Sequence, residues 1–585
     1  MNNWDSCQFA SRKMLSTTNY QAFQILSRSA EPIVSFHGPQ AAGRALPGDF
    51  VEWDVETQCC ILVNRTIHPP LTGLLDICSK TIYGMTSRHV PIFLFYPFDK
   101  RYPPMRVGCS MPDRSINLLV KVRFESWEFG ETFPRANLEN VIGPVGNSVS
   151  EAKALVNFAS PFWRPKVTYT PPVALTTGHQ QLEDAAAWHI FHIDPAGCRD
   201  VDDIIGIRPR TDGKTDFLIG ISDVAAYISE DSVLDLVARH NSSTVYTLGG
   251  VAVAPMFPAA LSEELFSLSP SASLKPVVAL QATYDGNAIT DVQFKELLVQ
   301  VQQTYTYEDV YSRAPAYVYE TLSSLAATIA RRIAGPAAIL DVRKITRDSH
   351  AWIEQLMVFY NLETAALIAP SERAILRKHD AADAAAIDAV SILPEELHWI
   401  VSKPAEYVST ADAGIHSSFH AMYCHASSPI RRYTDLHNQR VLKAIIHDTV
   451  AVAPKHNPHL IAHLNQRQKA LKQYQRNLTF ITQILEGPPT AIVDATVVAI
   501  GDSRGIASAL STSIAGGDNR GIASALSTSI AGGNVKATLW IPAWKTLVKT
   551  LEYDGLSIGD KLSLRFYYNP NRPNWKERIV FERVA

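Results

Sequence analysis

Short alternations of apolar and polar residues, broken by Gly, Pro and Asp, run through residues 20–145, for example at residues 48–53. Apolar runs of this length between turn residues predict the strands of small β-barrels. The same pattern returns near the C-terminus, at residues 491–498, 537–541 and 561–568. The pattern therefore predicts β-barrels at both ends of the chain.

The composition bounds the class of protein. With 585 residues, 46% of them hydrophobic and 19% charged, the chain is long enough for several soluble domains with large cores. The formal net charge is −3, so the overall charge gives no sign of nucleic-acid binding. Any path for a polyanion has to be a local basic channel.

Seven scattered cysteines, which include the adjacent pair Cys59 and Cys60, indicate reduced thiols and an intracellular protein. No apolar run reaches the roughly 18 residues that a membrane helix needs, and the N-terminus lacks the pattern of a secretory signal. We predict a cytoplasmic location without membrane association, and leave nucleus and organelles open.

A cluster of carboxylates directly follows the apolar run at residues 188–191. Four aspartates fall within ten residues: Asp194, Asp200, Asp202 and Asp203. Carboxylates this close repel one another and are costly to desolvate beside a strand end unless a cation neutralises them. Hard oxygen ligands suit Mg²⁺, or Mn²⁺, which is commonly shared with substrate phosphates. The cluster therefore predicts a magnesium site and a substrate that carries phosphate.

Two other interpretations of this cluster are a solvated acidic loop and a calcium loop. An EF-hand loop needs Gly at its sixth position and Glu at its twelfth. Counted from Asp194, those positions hold Arg199 and Ile205, which weakens the calcium interpretation. The solvated loop stays open on spacing alone.

A second polar segment contains two adjacent arginines, Arg431 and Arg432, after a Ser-Ser-Pro turn. Pro429 fits the first turn of a helix, so we expect the arginines near a helix N-terminus with free backbone N–H groups. Guanidinium groups bind phosphate in bidentate fashion, and Tyr433 or Tyr423 could lie beside a base or ribose. The alternative is a surface arginine pair held by an acid such as Asp435.

Together the two segments resemble the catalytic RNB domain of the RNase II family, which bacterial RNase II and RNase R share with the eukaryotic exosome exonuclease. The family's Asp-x5-Asp-x-Asp-Asp signature is met at residues 194–203, and its Ser-Pro-Ile-Arg-Arg-Tyr signature at residues 428–433. Further segments agree in the expected order, at residues 220–228, 232–235, 245–246, 255–258 and 267–268.

The resemblance implies a magnesium-dependent, processive exoribonuclease that hydrolyses single-stranded RNA from its 3′ end and releases nucleoside 5′-monophosphates. It implies four metal ligands, Asp194, Asp200, Asp202 and Asp203. Asp203 matches the aspartate whose loss abolishes cleavage in the family, and Asp200 supports it. Arg431 matches the arginine that stabilises charge on the scissile phosphate, and Tyr246 the aromatic residue that stacks near the terminal nucleotide.

One predicted helix is a candidate for ribose recognition. Residues 352–361 place apolar side chains at i, i+3, i+4 and i+7 from Ile353, so Glu354 and Asn361 share another face. The resemblance implies that these two residues lie near the RNA path and the ribose 2′-hydroxyl, which distinguishes RNA from DNA. The family's usual Glu-Glu pair reads Glu354-Gln355 here, and a solvated helix face is the alternative.

The resemblance also implies the fold class, an α+β RNB domain flanked by OB-fold barrels. We predict an N-terminal segment with a partial cold-shock-type barrel over residues 1–64 and a second cold-shock-type barrel over 65–150. The RNB domain follows over 151–487, and an S1-type barrel over 488–585. Residues 502–533 are a tandem duplication, which we interpret as an insertion in a loop of that barrel.

Two other functions stay open: a catalytically inactive RNA-binding protein with the same fold, and a DNA exonuclease. An inactive descendant usually loses one of the aspartates, and all four are present. We expect single-stranded RNA as partner and a monomer. The sequence does not support association with an exosome, because it has no room for the additional N-terminal nuclease domain of the family's exosome members. Asn241-Ser242 and Gln439 replace the family's usual Arg-Gly and His, which concerns affinity rather than chemistry.

Overall fold

A computed structural model describes most of the chain. The described residues are 13–27, 32–163, 167–176, 178–334, 341–381, 393, 397, 403–449, 458–487, 492–500, 537–544, 546–550, 556–570, 572 and 578–584. They form two compact units. The first comprises Met1–Trp163, Ala384–Val401 and Lys472–Ala585, and the second Arg164–Asp383 and Ser402–Leu471.

The first unit begins with a five-stranded antiparallel sheet in the order β3-β2-β1-β4-β5. Its strands are β1 (Lys13–Asn19), β2 (Ala22–Leu26), β3 (Pro32–His37), β4 (Phe50–Asp54) and β5 (Cys59–Asn64). Alternate residues of each strand point into one core, which contains Leu15, Phe23, Ile25 and Val51. β3 and β5 are the edge strands of this sheet.

A closed five-stranded barrel follows, in the order β10-β8-β7-β6-β9. Its strands are β6 (Leu71–Asp76), β7 (Ile92–Pro97), β8 (Met105–Gly108), β9 (Leu118–Ser126) and β10 (Arg135–Pro144). Helix α1 (Ser148–Ala159) comes directly after it and begins at an Asn147 side chain that accepts a hydrogen bond from the Ser150 amide.

The C-terminal strands form another five-stranded antiparallel sheet, in the order β24-β23-β22-β25-β26. They are β22 (Ile492–Ile500), β23 (Ala537–Ile541), β24 (Thr546–Thr550), β25 (Lys561–Tyr568) and β26 (Ile579–Arg583). A buried ion pair of 2.7 Å joins Arg578 beside this sheet to Glu151 of α1. The predicted duplicated insertion at residues 502–533 lies outside the described residues.

The second unit is built on a seven-stranded sheet in the order β11-β18-β17-β14-β13-β12-β19. Its strands are β11 (Gln180–Gln181), β12 (His189–Asp194), β13 (Asp203–Pro209), β14 (Thr215–Ser222), β17 (Lys275–Tyr284), β18 (Ile289–Val299) and β19 (Gln303–Thr306). Two small hairpins accompany it: β15 (Val245–Tyr246) with β16 (Ala252–Ala254), and β20 (Ile375–Lys378) with β21 (Glu406–Ser409).

Helices cover one face of this sheet and bury a large apolar core against it. After α1 the described helices are α2 (Val233–Asn241), α3 (Val310–Arg313), α4 (Ala316–Ala334), α5 (Val342–Thr346), α6 (Ser349–Ile368), α7 (Tyr433–Ile446) and α8 (Pro458–Glu486). α6 contains the predicted helix at residues 352–361. Leu356 and Phe359 of α6 pack in the same core as Phe217 and Ile219 of β14.

None of the described helices combines the length and the apolar character that crossing a bilayer requires.

Candidate active site

The four aspartates lie in the connection between two neighbouring antiparallel strands, β12 and β13. β12 ends at Asp194 because Pro195 has no N–H to continue the ladder. A turn follows in which the Cys198 amide donates to the Pro195 carbonyl at 3.1 Å, with Gly197 at a φ of 83° that favours glycine. The next strand, β13, begins at Asp203. Strand pairing thus fixes both ends of the acidic loop.

Ser267 fixes the middle of this loop. Its hydroxyl donates to the Arg199 carbonyl at 2.6 Å and accepts from the Val201 amide at 3.2 Å. The Leu268 amide donates to the Val201 carbonyl at 3.0 Å, and Val201 itself is fully buried. The sequence agreement at residues 267–268 therefore has a structural reason, since these residues hold the backbone between Asp200 and Asp202.

Asp202 joins the acidic loop to the arginine segment. Its carboxylate is only 4% exposed, accepts the Ile430 amide at 2.8 Å through Oδ1, and accepts Arg431 Nε at 3.2 Å through Oδ2. These partners are 228 and 229 residues away in the chain. The side chain of Arg431 remains 44% exposed, so its guanidinium is held from one side and open to solvent on the other.

The prediction that Pro429 lies in the first turn of a helix is wrong, because the helix begins about one turn later. α7 begins at Tyr433, and Arg432 is its N-cap. Pro429 instead takes the second position of a turn in which the Arg431 amide donates to the Ser428 carbonyl at 3.3 Å, a position that proline favours. Asp435, in the first turn of the helix, accepts the Ser428 amide at 2.8 Å and Arg432 at 2.7 Å, and so closes the turn onto the helix.

Burial and mutual repulsion dominate the electrostatics of the acidic loop. Burial raises the pKa of Asp202 to about 7, even though the charge of Arg431 and the Ile430 amide lower it. Burial, followed by the charges of Asp194 and Asp202, raises the pKa of Asp203 well above its ordinary value. A bound cation would favour the ionised form of both carboxyls and so lower their pKa values.

The side chains of Tyr246 and His192 orient the other two aspartates. The Tyr246 hydroxyl donates to Asp200 Oδ2, and burial with the charge of Asp200 raises the Tyr246 pKa, which keeps that proton in place. His192 Nδ1 donates to Asp194 at 2.8 Å, while its Nε2 faces the Thr304 hydroxyl at 2.9 Å. Partners of this kind fix the orientation of carboxylates that bind metals.

Three of the predicted RNA-contacting side chains differ in accessibility. Tyr433 is fully buried, and its hydroxyl is held by Arg239 Nε at 3.0 Å and by Asp235 at 3.2 Å. The buried amide of Asn361 serves residues 423–427, since it donates to the Tyr423 hydroxyl at 3.0 Å and accepts the Ala426 amide at 2.9 Å. Glu354 of α6 is exposed. In this arrangement Tyr433 and Asn361 support the site from behind.

Sequence reasoning missed Tyr307 and His350. β12 and β19 pair in parallel with Asp194 opposite Thr306, so Tyr307 follows directly beside the acidic loop. Burial, then Asp194 and Asp203, raise the pKa of Tyr307. The His350 ring stacks on it, with ring centroids 3.8 Å apart and an angle of 11°. The sequence alone gives no sign that this aromatic pair belongs to the site, because the pairing of β12 with β19 places it there.

The donor set fits a hard divalent cation. Four carboxylates lie in one loop, and a bound cation would lower the raised pKa values of two of them. Within the part of the chain that the structure describes, the group that brings three ligand atoms within 4.8 Å of one another is His179, Asp223 and Glu296, and not the acidic loop. That group already contains a cation, because Lys443 contacts both of its carboxylates.

Comparisons with known proteins agree with this arrangement. The family model described as the RNB domain matches residues 182–448, and the one described as Dis3-like cold-shock domain 2 matches residues 92–157. The exosome complex exonuclease RRP44 of Homo sapiens is 23% identical over 493 residues, which cover 71% of this chain and 50% of that protein. The chain thus spans about half the length of that curated relative.

Solved structures match over nearly the whole chain. RNase R of Mycoplasma genitalium, in complex with ribose-methylated single-stranded RNA, superposes with a TM-score of 0.69 at 15% identity, covering 98% of this chain and 100% of that one. Yeast Ssd1, described as a pseudonuclease, gives a TM-score of 0.62 at 15% identity, covering 96% of this chain and 82% of that one. Together with the family matches, these structures confirm the predicted fold class.

We predict that the metal-free protein loses stability as pH rises from about 4 to 7. Asp202 and Asp203 have raised pKa values in the folded state, so the folded protein binds more protons than the unfolded chain across that window. The Asp203→Asn variant should therefore melt above wild type at about pH 8 in EDTA and converge with it near pH 4, as measured by calorimetry. Parallel melting curves at every pH would contradict this electrostatic account.

We also predict that the Tyr246 hydroxyl orients Asp200 for a cation. Tyr246→Phe keeps the ring and removes the hydrogen bond to Asp200, so Mn²⁺ affinity should fall about tenfold, within the range that outer partners of metal ligands contribute. The measurement is Mn²⁺ titration by electron paramagnetic resonance without RNA. Tyr407→Phe, whose hydroxyl contacts His425 instead, is the matched control. Equal Mn²⁺ affinity in the two variants would remove this role.

Proposed function

Since this chain belongs to the RNase II family through its RNB domain, we propose that it is an exoribonuclease that hydrolyses single-stranded RNA from the 3′ end and releases nucleoside 5′-monophosphates with the help of Mg²⁺. The observation that carries the proposal is the direct contact of Asp202 with Arg431, which joins the acidic loop to the arginine segment. A carboxylate cluster with an adjoining half-exposed guanidinium is suited to phosphoryl transfer.

The residues of the site divide into ligands and charge stabilisers. Asp194, Asp200, Asp202 and Asp203 would hold the metal, which supplies an activated water and neutralises charge on the phosphate. Asp202 keeps Arg431 beside the loop, and the open side of that guanidinium can meet the equatorial oxygens of a scissile phosphate. We assign Tyr246 to stacking at the terminal nucleotide, and Arg432 and Glu354 to contacts along the RNA.

A catalytically inactive RNA-binding protein is the second candidate function, because the pseudonuclease Ssd1 has a similar fold. The four aspartates favour the enzyme. Asp202 and Asp203 keep raised pKa values in the folded protein, which costs stability. A binding protein would have no use for that cost.

The departures from the family pattern have structural roles in this chain. The Gln439 side chain donates to the Ser222 carbonyl at 2.8 Å and accepts the Ala225 amide at 3.0 Å. The Asn241 side chain donates to the Met256 carbonyl at 3.1 Å. Because both side chains are used inside the protein and neither contacts the four aspartates, we propose that they alter RNA affinity more than turnover. We further propose a cytoplasmic monomer.

The proposal predicts that Asp203→Asn binds RNA but does not cleave it. The substitution removes one ligand charge with almost no change in shape, so we expect the cleavage rate to fall by roughly 10³-fold or more, with RNA affinity nearly unchanged. A gel time course with 5′-labelled single-stranded RNA and Mg²⁺, run beside EDTA, measures the rate, and a mobility shift measures binding.

A ladder that retreats from the 3′ end in wild type, and is absent in EDTA and in the variant, would establish the exoribonuclease. Intact RNA with a clear shift in wild type would instead favour the inactive RNA-binding protein. Undiminished cleavage by Asp203→Asn would place the chemistry elsewhere in the chain.

A second prediction concerns the sugar. We expect an RNA oligomer to be degraded at least about tenfold faster than a DNA oligomer of the same sequence, since contacts to the 2′-hydroxyl distinguish the two. Glu354→Gln should narrow that ratio if the exposed carboxylate contacts the ribose, whereas Glu363→Gln, on the same helix but paired with Arg332, should not. Equal cleavage of RNA and DNA by wild type would reject the RNA assignment.

A further inference from the structure

A buried group of charged residues holds the second half of α7. Lys443 of α7 contacts Asp223 at the end of β14, and lies 3.3 Å from Glu296 of β18. His179 Nε2 is 2.8 Å from Asp223, and His447, just beyond α7, is 2.8 Å from Glu296. We call these five residues the α7 anchor. Four separate segments of the chain meet in it.

The α7 anchor surrounds two carboxylates with an ammonium and two imidazoles, so it holds the helix in place rather than binding a metal. Burial alone would raise the pKa of Asp223, but the His179 hydrogen bond and the Lys443 ammonium outweigh burial and leave that pKa below its ordinary value. Asp223 is therefore ionised and paired with Lys443. Removing one partner of a buried ion pair leaves an uncompensated charge, so the contact strongly favours a single position of α7.

Gln439, one turn before Lys443, fastens the same helix to the same strand end. It donates to the Ser222 carbonyl at 2.8 Å and accepts the Ala225 amide at 3.0 Å. The Ser222 amide in turn donates to the backbone carbonyl of Asp202 at 2.8 Å. Gln439 and the anchor therefore hold the end of β14, and that end is hydrogen-bonded to the backbone of Asp202.

The opposite end of α7 reaches the same aspartate. The segment that leads into the helix contacts Asp202 through the Ile430 amide and Arg431 Nε. α7 is thus tied to the β13–β14 pair at two places, by Asp202 at its start and by the anchor about 15 Å farther along, at 1.5 Å per residue. Two attachments fix the rotation and the height of the helix, which one could not do.

We infer that Lys443, Asp223 and His179 are positioning residues that set the distance between Arg431 and the Asp202–Asp203 pair. The inference rests on the proposed function. Arg431 acts most strongly on charge that develops during phosphoryl transfer, so a displaced Arg431 weakens the transition state more than it weakens bound RNA. Loosening the anchor should therefore lower kcat and leave KM almost unchanged.

The test compares Lys443→Met with Lys443→Arg and with the matched control Lys295→Met. Lys295 neighbours Glu296 on β18, so its side chain points to the opposite face of the sheet. We expect Lys443→Met to lower kcat on single-stranded RNA about tenfold with KM within about twofold, Lys443→Arg to restore most of the rate, and Lys295→Met to match wild type. Asp223→Asn should act like Lys443→Met, and the double variant should be no slower than either.

Hydrogen exchange provides a readout that does not depend on cleavage. In Lys443→Met the Ile430 amide should exchange faster than in wild type, while amides in the core of β14 keep their protection. Unchanged exchange at Ile430 together with unchanged kcat would overturn the inference, and so would equal changes of kcat and KM. If wild type does not cleave RNA, the proposed function fails, and the exchange of Ile430 still decides whether the anchor positions the arginine segment.

Discussion

The carboxylate of Asp202 is the contact on which the site depends. One of its oxygens takes a backbone amide and the other a guanidinium, both from a segment more than two hundred residues later in the chain. This contact joins the acidic loop directly to the arginine segment and brings their opposite charges together. Because the group is almost completely buried, it is costly in the absence of its partners and strongly selective in their presence.

Two clusters of charged residues lie along α7 in the second unit: the acidic loop with its arginines, and the α7 anchor. Burial, together with the charges of neighbouring aspartates, raises the pKa values of Asp202 and Asp203 in the acidic loop, and Arg431 only partly offsets this rise. Farther along α7, Lys443 contacts two carboxylates, which two imidazoles also contact, and the pKa of Asp223 is lowered. The pKa values of the carboxyls in the acidic loop are thus raised, whereas that of Asp223 in the anchor is lowered. This difference separates a place for an external ion from a place that fixes a helix.

Sequence reasoning identified the fold class and the two motifs because both depend on short segments. The aspartate spacing, the arginine turn and the helix at residues 352–361 are local patterns, and all lie in the elements that they predicted, apart from the start of α7. Tyr307 and His350 were missed because their place beside the acidic loop depends on the parallel pairing of β12 with β19, which sets Asp194 opposite Thr306. Asn361 and Tyr433 form hydrogen bonds inside the protein because of tertiary packing, which helical periodicity in the sequence does not predict.

The long separation between Asp202 and Arg431 also has a consequence for the synthesis of the protein on the ribosome. A ribosome that adds about 5–20 residues per second needs roughly 10–50 s to pass from one to the other. During that interval the emerging chain carries the acidic strand but not the helix that completes it. Until the later helix has left the exit tunnel, the nascent chain has no Arg431 beside Asp202, so the proposed cleavage of RNA cannot begin during that interval.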